Sequence, residues 1–484
     1  MGKSEALSRR DEMPPATANR GTEAAMRCCA ALQASITGRG FARPERRQGR
    51  QRRTWLTRAI GIDLGTTNSA VAVTEDGRTF VVPGPDQTKV TRSIVSYGDD
   101  GEITVGQSAK VLELITNAST FYSVKRLMGR RVCELDSRMY ELLPYFIMND
   151  ADSSDFAALR CPSRDCVLKP EQVSSEILKA LKLSAEEYLR KEVTEAVISV
   201  PAYFGEMERS ATQEAAAKAG LSVLRMINEP AAAAVAYGIG KENNEFLLVF
   251  DLGGGTFDVS VLQVGDDVFE VLKSSGNNFL GGDDFDACLL DWLLAGMDDK
   301  ALQGISQSPL AMYELKEAAE AAKICLSTNP TAEIDVTLNG IDGCGPVSIR
   351  KTIDVDLFEE LTLHLIDEMD RTLREVLYGV ETAEGAAVTE DDLEVVLVGG
   401  ATQMRCISKL IVERVGKEPK SGLVNPDEAV AVGAGLTAAA LKGLIPREDI
   451  ILLDENPSAE DLDLLGRKLE ALVDSFSDGK KKWW

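Results

Sequence analysis

One pattern occurs twice, 188 positions apart, and it narrows the choice of fold more than anything else in the chain. Residues 60–73 read IGIDLGTTNSAVAV, and residues 249–262 read VFDLGGGTFDVSVL. Each is an apolar run ending in an aspartate, then a glycine-containing turn, then a run of alternating apolar and polar residues. A carboxylate at the end of a buried strand is costly unless a cation or hydrogen-bond donors compensate it. The turns, Gly65-Thr66-Thr67-Asn68 and Gly253-Gly254-Gly255-Thr256, offer backbone amides that can curl round an anion, and glycine lets the chain approach it closely. A second strand follows each turn, so neither the Walker loop nor the dinucleotide fingerprint applies, because both lead into a helix. Two facing hairpins predict a clamp gripping a polyphosphate from both sides. Asp63 and Asp251 would then hold Mg2+ through its waters, since that ion dehydrates reluctantly.

Around the hairpins the pattern alternates between strand and helix. Strand-like runs fall at 59–63, 69–74, 196–200, 246–251, 259–264 and 394–398, and helical runs at 170–190, 206–219, 230–237, 283–294, 310–326 and 356–377. Interleaved strands and helices with a repeated hairpin predict an α/β chain of two related halves. Residues 447–484 differ in character. A short apolar segment, Ile450–Leu453 followed by Asp454, precedes an amphipathic helix that Ser458 and Asp461 would open as an S-x-x-D cap. Leu462, Leu465, Leu469, Leu472 and Phe476 share one face of it, suited to docking on the body or to binding a partner.

Charge and composition exclude several classes. The 484 residues carry a formal net charge of −24, against a nucleic-acid partner, and no apolar run is long enough to span a bilayer. The basic residues concentrate at the start. Residues 1–58 carry +8 and the rest −32, so the Arg-rich opening reads as a transit peptide for a plastid or mitochondrion, with the cytoplasm as the alternative. Nine scattered cysteines, among them Cys161 and Cys166, read as reduced thiols. The single histidine, His364, falls in a helical pattern and reads as structural, which excludes a multi-histidine metal site.

Nine stretches in fixed order then carry a resemblance. Beside the two hairpins stand VKRLMGRR, AVISVPAYF, INEPAAAAVAYG, LGGDDFDACLL, LKEAAEAAKICLS, VVLVGGATQM and NPDEAVAVGAG. Over residues 59–445 the chain resembles the ATPase domain of the seventy-kilodalton (DnaK-type) heat-shock chaperones, within the actin/hexokinase superfamily. The resemblance implies a two-lobed actin-like ATPase fold of duplicated ribonuclease H-like domains with a cleft between them. The lobes would cover 59–242 and 243–427, with a helix returning to the first lobe over 428–446. It implies ATP or ADP with Mg2+, and allows a monovalent cation. Thr66, Thr67, Gly254, Gly255 and Thr256 would contact phosphates, and Lys125 would be the catalytic lysine. Glu229, Asp258 and Asp63 would order Mg2+ and the attacking water, with Asp251 completing the acidic set. Pro201 and Arg209 would relay nucleotide state. Glu320, Lys323, Ser327, Gly399, Gly400 and Asp427 would form the base and ribose pocket. The implied activity is slow ATP hydrolysis by a chaperone-like monomer working with a J-domain co-chaperone and a nucleotide-exchange factor. The alternative is a non-hydrolysing nucleotide-gated scaffold.

Four departures stand out. Gln403 replaces an arginine that stacks on adenine, Gly205-Glu206-Met207 replaces Asn-Asp-Ser, Ala231 replaces threonine, and Phe279 replaces histidine. None removes an implied phosphate or Mg2+ ligand. The segment at 450–454 resembles the family's interdomain linker, and the expectation is an ATPase unit without the β-rich client-binding domain.

Overall fold

The computed structural model describes residues 59–468, apart from 85–86, 111–118, 136–142, 144, 151–154, 239–244, 266, 340, 342–344, 383–384, 421–424 and 454–456. The first sheet is a meander of β1 (Ala59–Asp63), β2 (Asn68–Glu75) and β3 (Arg78–Val82), extended on the β1 side by β4 (Glu195–Val200) and β5 (Ser222–Asn228). Neighbours in the meander run antiparallel, while β1, β4 and β5 run parallel. The second sheet repeats this plan. The meander β6 (Glu245–Leu252), β7 (Phe257–Gly265) and β8 (Val268–Asn277) is flanked by β9 (Leu393–Val398), parallel to β6. The molecule is an α/β protein with the two-lobed actin-like ATPase fold, and its halves share the strand plan that the repeated hairpins predict.

β1 and β2 are buried along nearly their whole lengths, and β4 along most of its own, which requires cover on both faces. On the first sheet α1 (Pro170–Leu189) and α2 (Glu206–Lys218) supply part of that cover, their buried leucines and alanines joining a core with Ile60, Ile62 and Phe121. The second sheet packs Phe250 and Phe257 against α4 (Gly282–Leu294) and α5 (Pro309–Thr328). Between the sheets lie two small-residue helices, α3 (Glu229–Gly238) and α6 (Ala429–Leu441), in a third core that takes Val197 from one sheet and Leu247 and Val249 from the other. Their alanine and glycine content permits the crossing. A Cβ on Gly61 of β1 would stand 2.0 Å from the backbone nitrogen of Gly435 in α6.

Several elements differ from the sequence pattern. The helix expected over 356–377 breaks into Val355–Leu361 and Leu363–Leu377 at Thr362, whose backbone leaves the helical region at φ −104° and ψ 8° while its hydroxyl bonds back to the Phe358 carbonyl at 2.7 Å. β5 and β8 carry no clean alternation, since their residues are mostly half-buried, and the pattern missed them.

The linker-like segment forms β10 (Ile451–Leu453), parallel to β8 at the free edge of the second sheet. Ser458 caps the next turn as the sequence predicts, its hydroxyl accepting from the Asp461 amide at 3.1 Å. Asp461 is fully buried, and both Arg225 of β5 and Arg447 donate to its carboxylate. Leu462 and Leu465 pack with Ile451 and Leu453, so this helix docks on the body; Asp454, Leu469, Leu472 and Phe476 lie outside the described residues, as does the Arg-rich opening.

Candidate functional site

The two turns meet face to face. A Cβ on Gly254 would stand 1.9 Å from the Thr67 hydroxyl, and one on Gly255 would stand 2.4 Å from the Thr66 methyl, so only glycine lets the second turn close on the first. Each turn is tied into its own half. Ser69 receives the Gly65 amide at 3.1 Å, while the amides of Gly282 and Asp283 at the start of α4 donate to Gly253 and Gly254 at 2.9 and 2.7 Å. Arg126 bridges the halves, with Nε on the Gly255 carbonyl at 2.9 Å and Nη2 on Asp284 at 3.0 Å.

The cavity between the turns is lined by Asp63, Gly65, Thr66, Thr67, Asn68, Lys125, Glu229, Asp251, Gly253, Gly254, Thr256, Gly399, Gly400 and Asp427. Lys125 stands on a short turn, Val124–Leu127, entered through Ser123 in the left-handed region at φ 53°. Its ammonium donates to Glu229 Oε1 at 2.5 Å, and both side chains are buried. Glu229 opens α3, where its charge faces the positive helix end. Asp251 and Asp258 are opposed across the β6–β7 pair. Ser199 donates to Asp63 at 2.9 Å.

Among the described residues, one cation among four carboxylates leaves the site short of positive charge. Burial, then the charge of Glu229, pushes the Asp63 carboxyl up to about 7. Burial and Glu229 likewise hold Asp251 and Asp258 well above the usual range. Burial pulls Lys125 down, but Glu229 and Asp63 outweigh it and raise the ammonium. Among the described residues, neither Asp258 oxygen nor the buried Thr66 hydroxyl has a hydrogen-bond partner. An all-oxygen donor set with unpaired carboxylates suits a hard divalent cation such as Mg2+. Among the described residues no three acidic, thiol or imidazole groups converge closely enough to ligate one ion directly.

The remaining expected residues divide. Glu320 points into a neighbouring cavity that shares Thr66 and Thr67 with the first, and there it pairs across the cleft with Arg92 at 2.6 Å and Lys110 at 3.2 Å. Lys323 turns instead to Asp286 and the Gly282 carbonyl, at 2.6 and 2.9 Å, while Ser327 lies farther along α5 with Arg405 on its carbonyl. Gln403 is exposed. Pro201 ends β4, and Arg209 ties the Phe204 carbonyl to Asn228, the residue before Glu229, at 2.9 and 2.7 Å. Phe204 also carries the Lys125 ammonium 5.9 Å from its ring centre. His364 is exposed, 4.0 Å from Cys288 and outside this cluster. Sequence reasoning missed Ser199, Arg126 and the Arg92–Glu320 pair. Only Arg126, next to Lys125 in VKRLMG, carried a local signal.

A family model described as Hsp70 protein matches residues 59–477. The chain belongs to the heat-shock 70 family. It is 42% identical over 420 residues to the chaperone protein dnaK of Cyanidioschyzon merolae, a match covering 86% of this chain and 67% of that protein. The corresponding proteins of Cyanidium caldarium and Phaeodactylum tricornutum are each 41% identical over 419 residues, covering 86% of this chain and 66% of theirs. This heat-shock 70 chain thus spans about two thirds of the length of the relatives it matches. Its Asp63–Asp251 pair and both glycine turns fall inside the matched region.

Proposed function

We propose that the chain is an ATP-binding and ATP-hydrolysing nucleotide switch of a heat-shock 70 chaperone, its lobes 59–242 and 243–427 closing on one Mg·ATP. The observation that carries this reading is the contact of the two glycine turns above four carboxylates and one buried lysine. Thr66 and Thr67 on the first turn, with Gly254, Gly255 and Thr256 on the second, cradle the phosphates through backbone amides and hydroxyls, while the engaged amides of Gly65 and Gly253 hold the turns in shape beside Asn68. Asp63 and Asp251 would hold Mg2+ through its waters, and the ion would supply positive charge against the phosphates. Lys125 offsets charge that develops on the terminal phosphoryl group, while Glu229 and Asp258 position the attacking water. Gly399, Gly400, Asp427, Glu320, Lys323 and Ser327 form the nucleoside end, and Glu320 becomes available to a ribose when it releases Arg92. Pro201 and Arg209 pass the state of Glu229 outward through Asn228.

The relatives' name, chaperone protein dnaK, supports a role in protein folding with a J-domain co-chaperone and a nucleotide-exchange factor as partners. The Arg-rich residues 1–58 support a plastid or mitochondrial address, which a fluorescent fusion tests. Single-turnover hydrolysis of ATP, with and without a J-domain, tests the central reading. Phosphate release that depends on Lys125 and is accelerated by the J-domain is the expected result. Binding of ATP with no release would make the chain a scaffold instead.

A further inference from the structure

Two cysteines outside the nucleotide cleft face each other. Residues 157–161 and 166–168 form an antiparallel hairpin joined by a turn at 162–165, and Cys161 and Cys166 are direct cross-strand partners. Opposed residues in an antiparallel pair have Cα atoms about 4.5–5.5 Å apart, inside the roughly 4.4–6.8 Å range that a disulfide spans. Both thiols are free. Cys161 is fully buried and Cys166 is half-exposed, so one sulfur meets solvent while the other waits behind it. The turn is fixed from outside. The Ser163 hydroxyl donates to the Tyr97 carbonyl at 2.7 Å, the Ser163 amide donates to Ser119 at 3.0 Å, and the Arg164 guanidinium stacks 4.9 Å from the Tyr97 ring centre. These ties keep the two strands in register and the sulfurs together.

We propose that Cys161 and Cys166 form a redox-active dithiol that closes to a disulfide under a peroxide. The Cys166 thiolate attacks one peroxide oxygen, the O–O bond breaks, and water leaves, giving a sulfenic acid on Cys166. The Cys161 thiolate then attacks that sulfur and expels a second water after protonation. Two thiols and one hydrogen peroxide give one disulfide and two waters, so the thiols lose two electrons and the peroxide gains them. A disulfide oxidant such as oxidised glutathione would reach the same product by exchange, leaving two molecules of reduced glutathione. Burial and the neighbouring Cys161 hold the Cys166 thiol above its ordinary value, which slows its attack on an oxidant. The described cysteines Cys133, Cys288, Cys325 and Cys406 have no such cross-strand partner among the described residues.

Trypsin provides the test, because Arg164 lies between the two cysteines. The reduced full chain is exposed to hydrogen peroxide, its remaining thiols are alkylated, and it is digested without reductant. The expected product is peptide 161–164 joined to peptide 165–179, two hydrogens lighter than the two reduced peptides together and separated by dithiothreitol. In Cys166→Ser the joined species is absent and Cys161 stays alkylatable. Recovery of both peptides alkylated overturns the proposal. So does Cys166 carried to sulfinic or sulfonic acid with Cys161 still reduced, or joining of either cysteine to a third.

Discussion

Among the described residues, replacing Lys125 with alanine removes the only cation among four buried carboxylates. Two consequences can be worked out from the geometry. In catalysis, the ammonium is a fixed charge in a site largely closed to water, and loss of one such preorganised group costs about 2.7–4 kcal/mol, or roughly 10²–10³ in rate. In stability, removing one partner of a buried ion pair costs about 3–5 kcal/mol when the other stays charged. Here the carboxylates have an escape. Asp63 already sits at about 7, and Asp251 and Asp258 are raised by burial and by Glu229. The sign follows from proton counts. A carboxyl with a raised folded pKa binds more protons folded than unfolded between about 4 and its folded value, so stability falls as pH rises through that window. The stability penalty of Lys125→Ala is therefore smaller at pH 6 than at pH 8. Single-turnover phosphate release should drop at least 100-fold, while thermal melts at the two pH values separate the structural part. Hydrolysis within threefold of the parent would refute the electrostatic assignment, and a melting penalty independent of pH would refute the account of the carboxylates.

Asp461→Ala strips the buried anion from Arg225 and Arg447, and hydrogen exchange at the Ile451–Leu453 amides should rise by tenfold or more as β10 leaves the sheet edge. Arg92→Ala breaks a half-buried cross-cleft pair worth about 1–2 kcal/mol, so release of a fluorescent ADP should quicken about 5–30-fold in stopped flow. Although burial opposes it, Arg92 and Lys110 hold Glu320 down at about 2. The clamp's contribution is thus complete above about 4.5 and lost only as pH falls toward 2, and ADP release should respond to salt but not to pH between 6 and 9. Gly61→Ala drives a methyl group into the α6 backbone, and a loss of at least 1–3 kcal/mol in chemical denaturation is expected, roughly the cost of overpacking.

The sequence by itself determined the elements whose signal is local. β1, β4 and β6 are short runs of Ile, Val, Leu and Phe bounded by turn residues, and their expected limits fell within one residue of those observed. The twin Asp–Leu–Gly turns announced a facing pair in residue type alone, and the Ser458–Asp461 cap followed from spacing. Tertiary structure decided everything that depends on which distant segments meet. Glu320 and Lys323 share a helix face, yet opposing charges on other elements draw them apart, Glu320 to Arg92 and Lys323 to Asp286. Arg225 and Asp461 are 236 positions apart, and nothing near either announces the pair. Lys125 looks like a surface residue in KRLMGRR, and only its meeting with Glu229, the first residue of α3, makes it a buried cation in an acidic site. Periodicity reports burial along one segment. Charge compensation is a sum over neighbours in space, so it is fixed only when the chain has closed.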